Sequence, residues 1–367
     1  MKVAMVVPGG VDRSGTRRVI PVLLALIRRL ARRHELHVFS LFQEDTPGNW
    51  DLLGARVHNI GRTRTALRGL RAIVSEHRRG GFDVLHAIWA SPSGTLAVLA
   101  GRFLRRPVVV HLAGGELVSL PALGYGEQRT PAGRLRVRVA TAGAACITAP
   151  SRSLVELAAR AGIRAERLPL GIDPDVWPPV PPRPREPGRP LRLIHVASLN
   201  AVKDPGTLLA AAAVLRDRGI GFTLDIVGED AIAGAAQRRT TDLGLSDVVT
   251  FHGFLEQPPL RARVLRAEVL VMTSRFESGP AVLAEAAACG VPTVGTRVGM
   301  IADWAPDAAL AVPAGDPAAV AEAIGRLATD DGLRMGIAVT AQLRASTEDA
   351  DWSADRVEDV YRRVGER

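Results

Sequence analysis

Two glutamates, Glu277 and Glu285, stand eight positions apart in a segment whose only other charged residue is Arg275. The residues around Glu285 predict an alanine-rich helix that is apolar on its other faces, which is typical of a buried helix. A buried ionised carboxylate costs several kcal/mol unless it is hydrogen-bonded, so something must satisfy Glu285. Glu277 precedes the helix and could accept hydrogen bonds from a polyol. A glutamate in such a helix is more often solvated than functional, and that alternative stays open at this point.

The start of the same helix offers a site for an anion. A strand ends near Ser274, Pro280 is predicted as the first helical residue, and Gly290 is a common signal for the helix end. The free N–H groups and the helix dipole at such a start favour an anion such as a diphosphate. The helix itself is expected over Ala281–Cys289, and Ser278 or Gly279 is expected to cap it. The candidate contacts at this helix start are Ser278, Gly279, Ala281 and Val282.

Lys203 is one of only two lysines among 47 basic residues. It follows a predicted strand that ends near Ala197, where a flexible ammonium can reach a phosphate. A solvated surface role is equally open for it. Gly9 and Gly10 follow the first predicted strand, and paired glycines at a strand-to-helix turn allow a ligand to approach the backbone closely.

Several common kinds of site have no counterpart in the sequence. The spaced glycines of a dinucleotide fold, the Walker phosphate loop and the nucleophile elbow of hydrolases are all missing. Cys146 and Cys289 lie in apolar segments and are interpreted as buried thiols in a reducing compartment. Four histidines near strand ends show no metal-ligand spacing, so they are interpreted as structural, with His111 as the possible exception: His86, His111, His195 and His252. No metal and no cofactor is expected.

The charge is unevenly distributed along the 367 residues. Residues 1–180 carry 26 Lys and Arg against 13 Asp and Glu, a net charge of +13, and the remainder has a net charge of −4. The first half would therefore meet an anionic partner: a membrane surface, a phosphorylated acceptor or nucleic acid. An aromatic content of 4% leaves few stacking platforms and disfavours nucleic acid. No uninterrupted apolar stretch could span a bilayer, and the N-terminal apolar run is too short for a signal peptide, so a cytoplasmic protein is expected.

The hydrophobic pattern alternates short β-branched runs with longer amphipathic stretches, which predicts α/β structure with two doubly wound parallel sheets. A Pro- and Arg-rich segment interrupts the alternation and is interpreted as a linker at 179–190, between domains 1–178 and 191–350. The two domains are expected to face a cleft at the carboxyl ends of their strands. A final helix within 351–367 is expected to pack back on the first domain. The predicted strands are Lys2–Val7, Leu36–Ser40, Val84–His86, Val108–Leu112, Cys146–Ala149, Leu191–Ala197, Thr223–Val227, Val248–His252, Val269–Thr273, Thr293–Val294 and Leu310–Val312; Arg18–Arg33, Leu154–Gly162 and Trp352–Val364 are predicted helices.

Taken together, these pieces resemble a known family. Glu277, seven residues, Glu285 and the following Ala-Cys-Gly-Val-Pro-Thr-Val-Gly-Thr are similar to the E-x7-E signature of retaining glycosyltransferases of family four, which have the GT-B fold. The resemblance extends over nearly the whole chain. Its other parts are Gly9-Gly10, Asp83–His86, Ala149–Ser151, Pro169–Asp173, Ser198-Leu199 with Lys203, Ile226–Gly228 and Phe251–Phe254.

The resemblance implies that the second domain binds a nucleotide-diphosphate sugar. Lys203 would neutralise the diphosphate, Glu285 would accept hydrogen bonds from the ribose hydroxyls, Glu277 would contact the sugar, and Gly228 would lie under the base or ribose. It also implies hexosyl transfer with retention and without a metal. The acceptor, which would be a sugar, a lipid-linked glycan or a small molecule, would contact the first domain. Glu277, Lys203 and His111 are the predicted catalytic residues.

Three positions depart from the family pattern. Ser198 stands where family members usually have a diphosphate-binding arginine, so Arg275 would have to substitute for it. Ala113 stands where a histidine is expected near the acceptor, and His111 could partly compensate. Pro280 often corresponds to a glycine, and it removes one N–H from the anion site.

Three interpretations remain beside the glycosyltransferase. A non-catalytic sugar-nucleotide-binding protein fits Ser198 and Ala113, a GT-B-fold sugar-nucleotide epimerase would bind a similar donor, and a basic nucleic-acid binder fits least well. The arginines of 62–79 indicate a peripheral contact with an anionic membrane surface on the inner face, or simply a solvated helix.

Overall fold

The computed structural model describes residues 1–186 and 188–366. These residues form two compact units. The first unit comprises Met1–Gly171 and the C-terminal segment from Glu348, and the second is Ile172–Thr347. Each unit is a mainly parallel sheet covered by helices, so the predicted α/β class with two doubly wound domains is confirmed.

The first unit contains an eight-stranded sheet in the order β3-β4-β2-β1-β5-β6-β7-β8. Its central strands are buried along their whole length, because helices cover both faces of the sheet. The strands are β1 (Lys2–Val7), β2 (Glu35–Ser40), β3 (Gly48–Leu52), β4 (Ala55–Asn59), β5 (Val84–Ile88), β6 (Val108–His111), β7 (Cys146–Ala149) and β8 (Glu166–Arg167). The helices are α1 (Pro21–Ala31), α2 (Thr65–Gly80), α3 (Thr95–Leu104), α4 (Pro131–Ala142) and α5 (Arg152–Arg160), with short π or 3₁₀ turns at Ala90–Gly94, Pro121–Leu123 and Glu127–Arg129.

The second unit contains a six-stranded parallel sheet in the order β11-β10-β9-β12-β13-β14. The neighbouring strands β9 and β12 at its centre lead into the loops that carry the candidate site. The strands are β9 (Leu191–Val196), β10 (Phe222–Val227), β11 (Val249–Gly253), β12 (Val269–Met272), β13 (Thr293–Thr296) and β14 (Leu310–Val312). The helices are α6 (Pro205–Asp217), α7 (Ala235–Asp242), α8 (Gln257–Val264), α9 (Ala281–Ala288), α10 (Gly299–Trp304), α11 (Pro317–Thr329) and α12 (Asp331–Thr347).

The predicted strands agree with the structure to within two residues at each end. The first helix is shorter than the predicted Arg18–Arg33, because Ile20 precedes a proline and is held in an extended conformation. The β3–β4 hairpin is absent from the prediction. Its two-residue turn places both Leu53 and Gly54 at positive φ, and a leucine there gives no sequence signal for such a turn.

The boundary between the units differs from the predicted one. The first unit ends at Gly171, and residues 172–178 belong to the second unit. The buried Trp177 explains this, because its indole donates a hydrogen bond to Gln257 Oε1 of the second unit at 2.6 Å. The segment 179–190 was predicted as a linker, and its described residues, 179–186 and 188–190, also belong to the second unit, where the Val180 N–H bonds to the Ala288 carbonyl. Pro187 lies outside the described residues.

The last helix, α13 (Ala350–Gly365), belongs to the first unit. The buried Tyr361 hydroxyl is 2.7 Å from His86 Nδ1 on β5, and Arg29 of α1 forms an ion pair with Asp351 at 2.7 Å. The helix therefore completes the layer that α1 begins. Residue 367, the end of the predicted helical segment, lies outside the described residues. In the part of the chain that is described, no helix combines the length and apolar character needed to cross a bilayer.

Candidate functional site

The loops that follow β9 and β12 are fastened to each other. Thr273 Oγ1, just after β12, donates hydrogen bonds to the carbonyls of Lys203 and Asp204 at 3.1 and 2.9 Å. The Arg275 N–H donates to the Val202 carbonyl at 2.7 Å. Residues about 70 positions apart in the sequence are thereby held side by side at the ends of two neighbouring strands.

Lys203 is oriented by the turn that contains it. Asn200 Oδ1 accepts hydrogen bonds from the N–H groups of Val202 and Lys203, and Asp204 caps α6 by accepting from the Thr207 N–H. The turn aims the Lys203 ammonium at Glu277, where Nζ lies 2.5 Å from Oε1. The structure thus brings together two of the three predicted catalytic residues.

Glu277 is held as firmly as its partner. The carboxylate is 8% exposed and also accepts a hydrogen bond from Ser274 Oγ at 2.7 Å. Gly299, at the start of α10, packs against its backbone: a Cβ at Gly299 would lie 2.5 Å from the Glu277 carbonyl oxygen. The site is therefore a nearly buried acid with one cation and one hydroxyl aimed at the same oxygen.

Glu285 lies eight residues after Glu277, in the middle of α9. Its side chain is 4% exposed, and it has no side-chain hydrogen bond or ion pair to any residue that the structure describes. Burial raises the pKa of its carboxyl group to about 7. This is the unsatisfied carboxylate that the sequence predicts, and a ligand hydroxyl would give it a partner.

The start of α9 differs from the prediction by one residue. Pro280, not Ser278 or Gly279, is the N-cap with ψ of 119° and forms no side-chain cap hydrogen bond, so Ala281 and not Pro280 is the first helical residue. The predicted cap is therefore wrong. The N–H groups of Ala281 and Val282 have no acceptor within the helix, which leaves the start open to an anion. At the other end, Cys289 closes the helix and Gly290 follows with φ of 69°.

Gly228 directly follows β10, and Ser198 lies two residues after the end of β9. Gly228 has φ of 145°, and a Cβ there would lie 1.9 Å from the Ala197 carbonyl oxygen, so no other residue fits. Ser198 is exposed beside it. Arg275, the predicted substitute for the missing arginine, is held elsewhere, because its Nε lies 2.5 Å from Asp204 Oδ2. To reach a diphosphate it would have to leave this ion pair.

The Gly9–Gly10 turn of the first unit is filled from within. Gln43 Oε1 accepts hydrogen bonds from the Gly10 and Val11 N–H groups at 2.8 and 3.0 Å, and Gly10 has φ of 83° with Ile20 packed against it. Gln43, which the sequence did not single out, therefore occupies the backbone N–H groups at the turn that a ligand was expected to approach. No local sequence signal links Gln43 to a loop about 30 residues earlier.

His111 ends β6 and is fully buried. Its Nδ1 lies 2.9 Å from Thr148 Oγ1, and burial lowers its pKa to about 4, so the ring is neutral at physiological pH. Glu116 shapes the loop that follows, since it accepts hydrogen bonds from the N–H groups of Ala90, Ala113 and Gly114. A buried acid thus satisfies the backbone beside Ala113, the position at which the resemblance predicts a histidine.

The other histidines named from the sequence have structural partners. His195 Nδ1 bonds to the Val271 carbonyl, and His252 Nε2 lies 2.6 Å from Asp225 Oδ1. A different group, which the sequence analysis did not find, brings ligand atoms of His37, His58 and Glu76 within 4.8 Å of one another. Lys2 and Arg79 also contact the Glu76 carboxylate, at 3.5 and 3.2 Å. This group is therefore part of an ion-pair network that includes two cations, Lys2 and Arg79.

Comparison with known proteins assigns both units. Residues 180–344 match the model of glycosyl transferases group 1, and residues 19–171 match the glycosyl transferase 4-like domain. A D-inositol 3-phosphate glycosyltransferase of Frankia alni is 30% identical over 76% of this chain and 73% of its own. A putative glycosyltransferase, EpsF of Bacillus subtilis, is 30% identical over 78% of this chain and 76% of its own.

Solved structures share the fold over the whole chain. Sucrose-phosphate synthase from Thermosynechococcus elongatus superposes with a TM-score of 0.81 at 19% identity and covers 99% of both chains. Anabaena Alr3699/HepE in complex with UDP-glucose superposes with a TM-score of 0.74 at 18% identity, covering 98% of this chain and 99% of its own. With the family models and the relatives, these likenesses show that the chain belongs to the glycosyltransferases of the family-four type, which have the GT-B fold.

Proposed function

We propose that the protein is a retaining, metal-independent hexosyltransferase that uses a nucleoside-diphosphate sugar. The observation that carries the proposal is the pair of acids in the second unit. Glu285 is buried and has no side-chain partner among the described residues, and Glu277, eight positions before it, is held by Lys203 at 2.5 Å. A donor with a vicinal diol at one end and a diphosphate in the middle would satisfy the first acid and engage the cation of the second.

In this proposal the second unit binds the donor. The diphosphate lies at the open start of α9, near Ser278, Gly279, Ala281 and Val282, and its oxygens compete with Glu277 for the Lys203 ammonium. The ribose hydroxyls donate hydrogen bonds to Glu285. Gly228, which lacks a side chain, leaves room for the base or ribose beside the exposed Ser198. Glu277 is then available to accept hydrogen bonds from hydroxyls of the sugar.

The transfer step needs charge stabilisation more than a dedicated base. The bond between the anomeric carbon and the diphosphate oxygen breaks, the acceptor oxygen bonds to the same face of that carbon, and the acceptor proton passes to the departing phosphate oxygen. Lys203 and the α9 dipole stabilise the charge that develops on the diphosphate, which is the role a metal would otherwise play. The acceptor binds the first unit near the end of β6, where the buried, neutral His111 acts as a positioning residue that holds the strand end through Thr148.

A donor panel tests the proposal. Thermal shift with uridine, guanosine and adenosine diphosphates identifies the base, and mass spectrometry of the matching sugar donors then follows slow hydrolysis and transfer. The acceptor panel includes sugars, lipid-linked glycans and an inositol phosphate, the last because of the names of the relatives. We expect turnover that persists in EDTA and that Glu277→Ala and Lys203→Ala abolish, whereas Glu322→Ala on the exposed face of α11 leaves it intact.

Three outcomes would contradict the proposal. Nucleotide binding without any turnover would favour a non-catalytic binding protein. A donor sugar recovered with one inverted centre would favour an epimerase. A product whose anomeric configuration, measured by nuclear magnetic resonance, is opposite to that of the donor would disprove retention.

A further inference from the structure

Large hydrophobic side chains are exposed on three adjacent helices of the first unit. They are Leu67 of α2 at 46%, Leu99 and Phe103 of α3 at 50% and 66%, and Leu135 of α4 at 63%. Leu99 and Phe103 are four positions apart, so they lie on one face of α3. Most single exposed hydrophobics need no explanation, but this group occupies one layer of the unit.

The sheet order explains why the three helices form one layer. α2, α3 and α4 follow β4, β5 and β6, and each leads to a strand further along the sheet in the same direction. Right-handed crossovers then place all three on the same face. They also touch: Gly69 of α2 packs against Leu96 of α3, and Gly143 after α4 packs against Val98. We call the solvent-facing side of α2, α3 and α4 the outer layer face.

The outer layer face is strongly basic. α3 and α4 contain no Asp or Glu, and the one acid of α2, Glu76, is 12% exposed and already contacts Lys2 and Arg79. Eight exposed arginines in α2, in α4, in α3 and directly after α3 have no carboxylate partner within the described chain: Arg68, Arg71, Arg78, Arg102, Arg105, Arg106, Arg134 and Arg138. Arginines that serve only solubility are usually interspersed with acids.

The last helix of the same unit shows the contrast. On α13, Arg356 and Arg362 pair with Asp359, and Arg363 pairs with Glu166 of the body of the unit. The outer layer face therefore differs from α13 in having few acids beside its arginines. Its unpaired arginines lie on or beside the same helices as the exposed apolar side chains.

This combination fits one kind of partner. Apolar side chains that enter the headgroup boundary, surrounded by cations that contact phosphates, are the features of a surface that binds an anionic bilayer. A second copy of the chain would bring like charges together. Nucleic acid would need stacking platforms, and Phe103 is the one aromatic residue on the three helices.

We propose that the outer layer face docks the protein on the surface of an anionic membrane, with Leu99 and Phe103 inserted and the surrounding arginines on lipid phosphates. This places the apolar contact on α3, whereas the sequence alone indicated the arginines of 62–79. The inference does not depend on the proposed sugar transfer, because membrane docking requires no donor.

Vesicle co-sedimentation of the full chain tests the docking. We expect binding to vesicles of phosphatidylcholine mixed with phosphatidylglycerol at low salt. Binding should be weak to phosphatidylcholine alone, and it should be lost at about 1 M salt, where the Debye length falls to about 3 Å. The double variants L99S/F103S and R102E/R138E should each weaken the partition by about tenfold or more. Inositol phosphate or inorganic phosphate at millimolar concentration should not displace the protein.

Matched controls in the second unit keep the test specific. V339S/L343S removes two exposed hydrophobics that are also four positions apart on α12, and R239E/R266E makes the same change in net charge. Both should bind vesicles as the unmodified protein does, and circular dichroism should be the same for all variants. E277A should also bind normally, so failure of the catalytic proposal would be separately visible.

Several results would overturn the docking proposal. These are no binding to anionic vesicles at low salt, binding unaffected by salt, or equal losses in the control variants. Light scattering that shows a dimer which L99S/F103S dissociates would instead assign the face to a second copy. Displacement by free phosphate would instead indicate a site for a soluble anion.

Discussion

The strand ends of the two units are built on opposite principles. In the second unit, charged side chains converge and one of them, Glu285, has no partner among the described residues. In the first unit, Gln43 fills the Gly9–Gly10 turn, and Glu116 satisfies three backbone N–H groups. An unmet polar group in a buried position indicates where a ligand belongs, whereas an internally satisfied loop provides only a shaped surface. The comparison therefore supports the proposal that tight, charged recognition belongs to the second unit.

Replacing Lys203 should have the largest effect on this contrast. Lys203→Met removes the cation that would stabilise the departing diphosphate, and we expect kcat/KM for transfer to fall by about 100- to 1,000-fold. It also leaves the nearly buried Glu277 without its counter-charge, which should lower the free energy of unfolding by about 2 kcal/mol because Lys203 is itself partly exposed. Steady-state kinetics and urea unfolding measure the two effects.

The double variant Lys203→Met/Glu277→Gln separates stability from catalysis. Neutralising both partners should restore most of the free energy of unfolding while activity stays low. Activity that returned together with stability would show that the ion pair is structural and would remove the contrast between the units.

Glu285 should couple nucleotide binding to protons. The folded chain keeps this proton up to a pKa of about 7, whereas the unfolded chain loses it near 4.5. Between these values the folded state binds more protons, so the free energy of unfolding falls as pH rises, by about 3 kcal/mol in total. In the proposed complex the ribose diol donates to the ionised carboxylate, so nucleotide binding near pH 6 should release close to one proton. Calorimetry in two buffers of different ionisation enthalpy measures the release.

Glu285→Gln tests the same coupling. The variant should bind the nucleotide about tenfold or more weakly, should release no proton, and should lose the decline of stability with pH. Glu322→Gln, on the exposed face of α11, serves as the control and should leave all three unchanged. Binding to the unmodified protein without proton release would show that Glu285 does not contact the ligand.

Replacing Glu116 tests whether the loop after β6 in the first unit is held by internal hydrogen bonds. In Glu116→Gln the amide has one acceptor oxygen, so at least one of the three N–H groups loses its partner, and we expect the free energy of unfolding to fall by about 2 kcal/mol. Nucleotide affinity in the second unit should not change. Glu156→Gln on the exposed side of α5 is the control for stability, and a matching loss of nucleotide affinity in Glu116→Gln would mean that the two sites are not independent.

His111 should show the smallest response. Because burial lowers its pKa to about 4, its ring should stay neutral between about pH 5.5 and about pH 8. Its imidazole proton resonances should therefore be constant over that range, and the pH dependence of kcat should contain no contribution from this residue. A titration near pH 6.5 would show that the ring is solvated and that the end of β6 is open to water.

Strand and helix bounds could be predicted accurately where a single hydrophobic period dominates the local sequence. β1 and β7 begin and end at the predicted residues, because β-branched runs bounded by turn residues leave few alternatives. The buried Glu285 was likewise predicted from an alanine-rich helix with a single charge. The β3–β4 hairpin was not predicted because its turn places Leu53 at positive φ. The predicted start of α9 was wrong by one residue because a proline is common both at the cap and in the first turn of a helix.

The sequence by itself determined the two parallel α/β sheets, the spacing of Glu277 and Glu285, and the arginine excess of the first half, since all of these follow from residue type and local period. Only the tertiary structure decided that Lys203 meets Glu277, that Gln43 fills the first turn, that 172–178 and 179–186 belong to the second unit, and that the exposed Leu99 and Phe103 lie among unpaired arginines. The physical reason is the same in each case. A local pattern fixes which face of an element is apolar, but the partner of a polar or charged side chain is set by which distant segments the sheet order brings beside it.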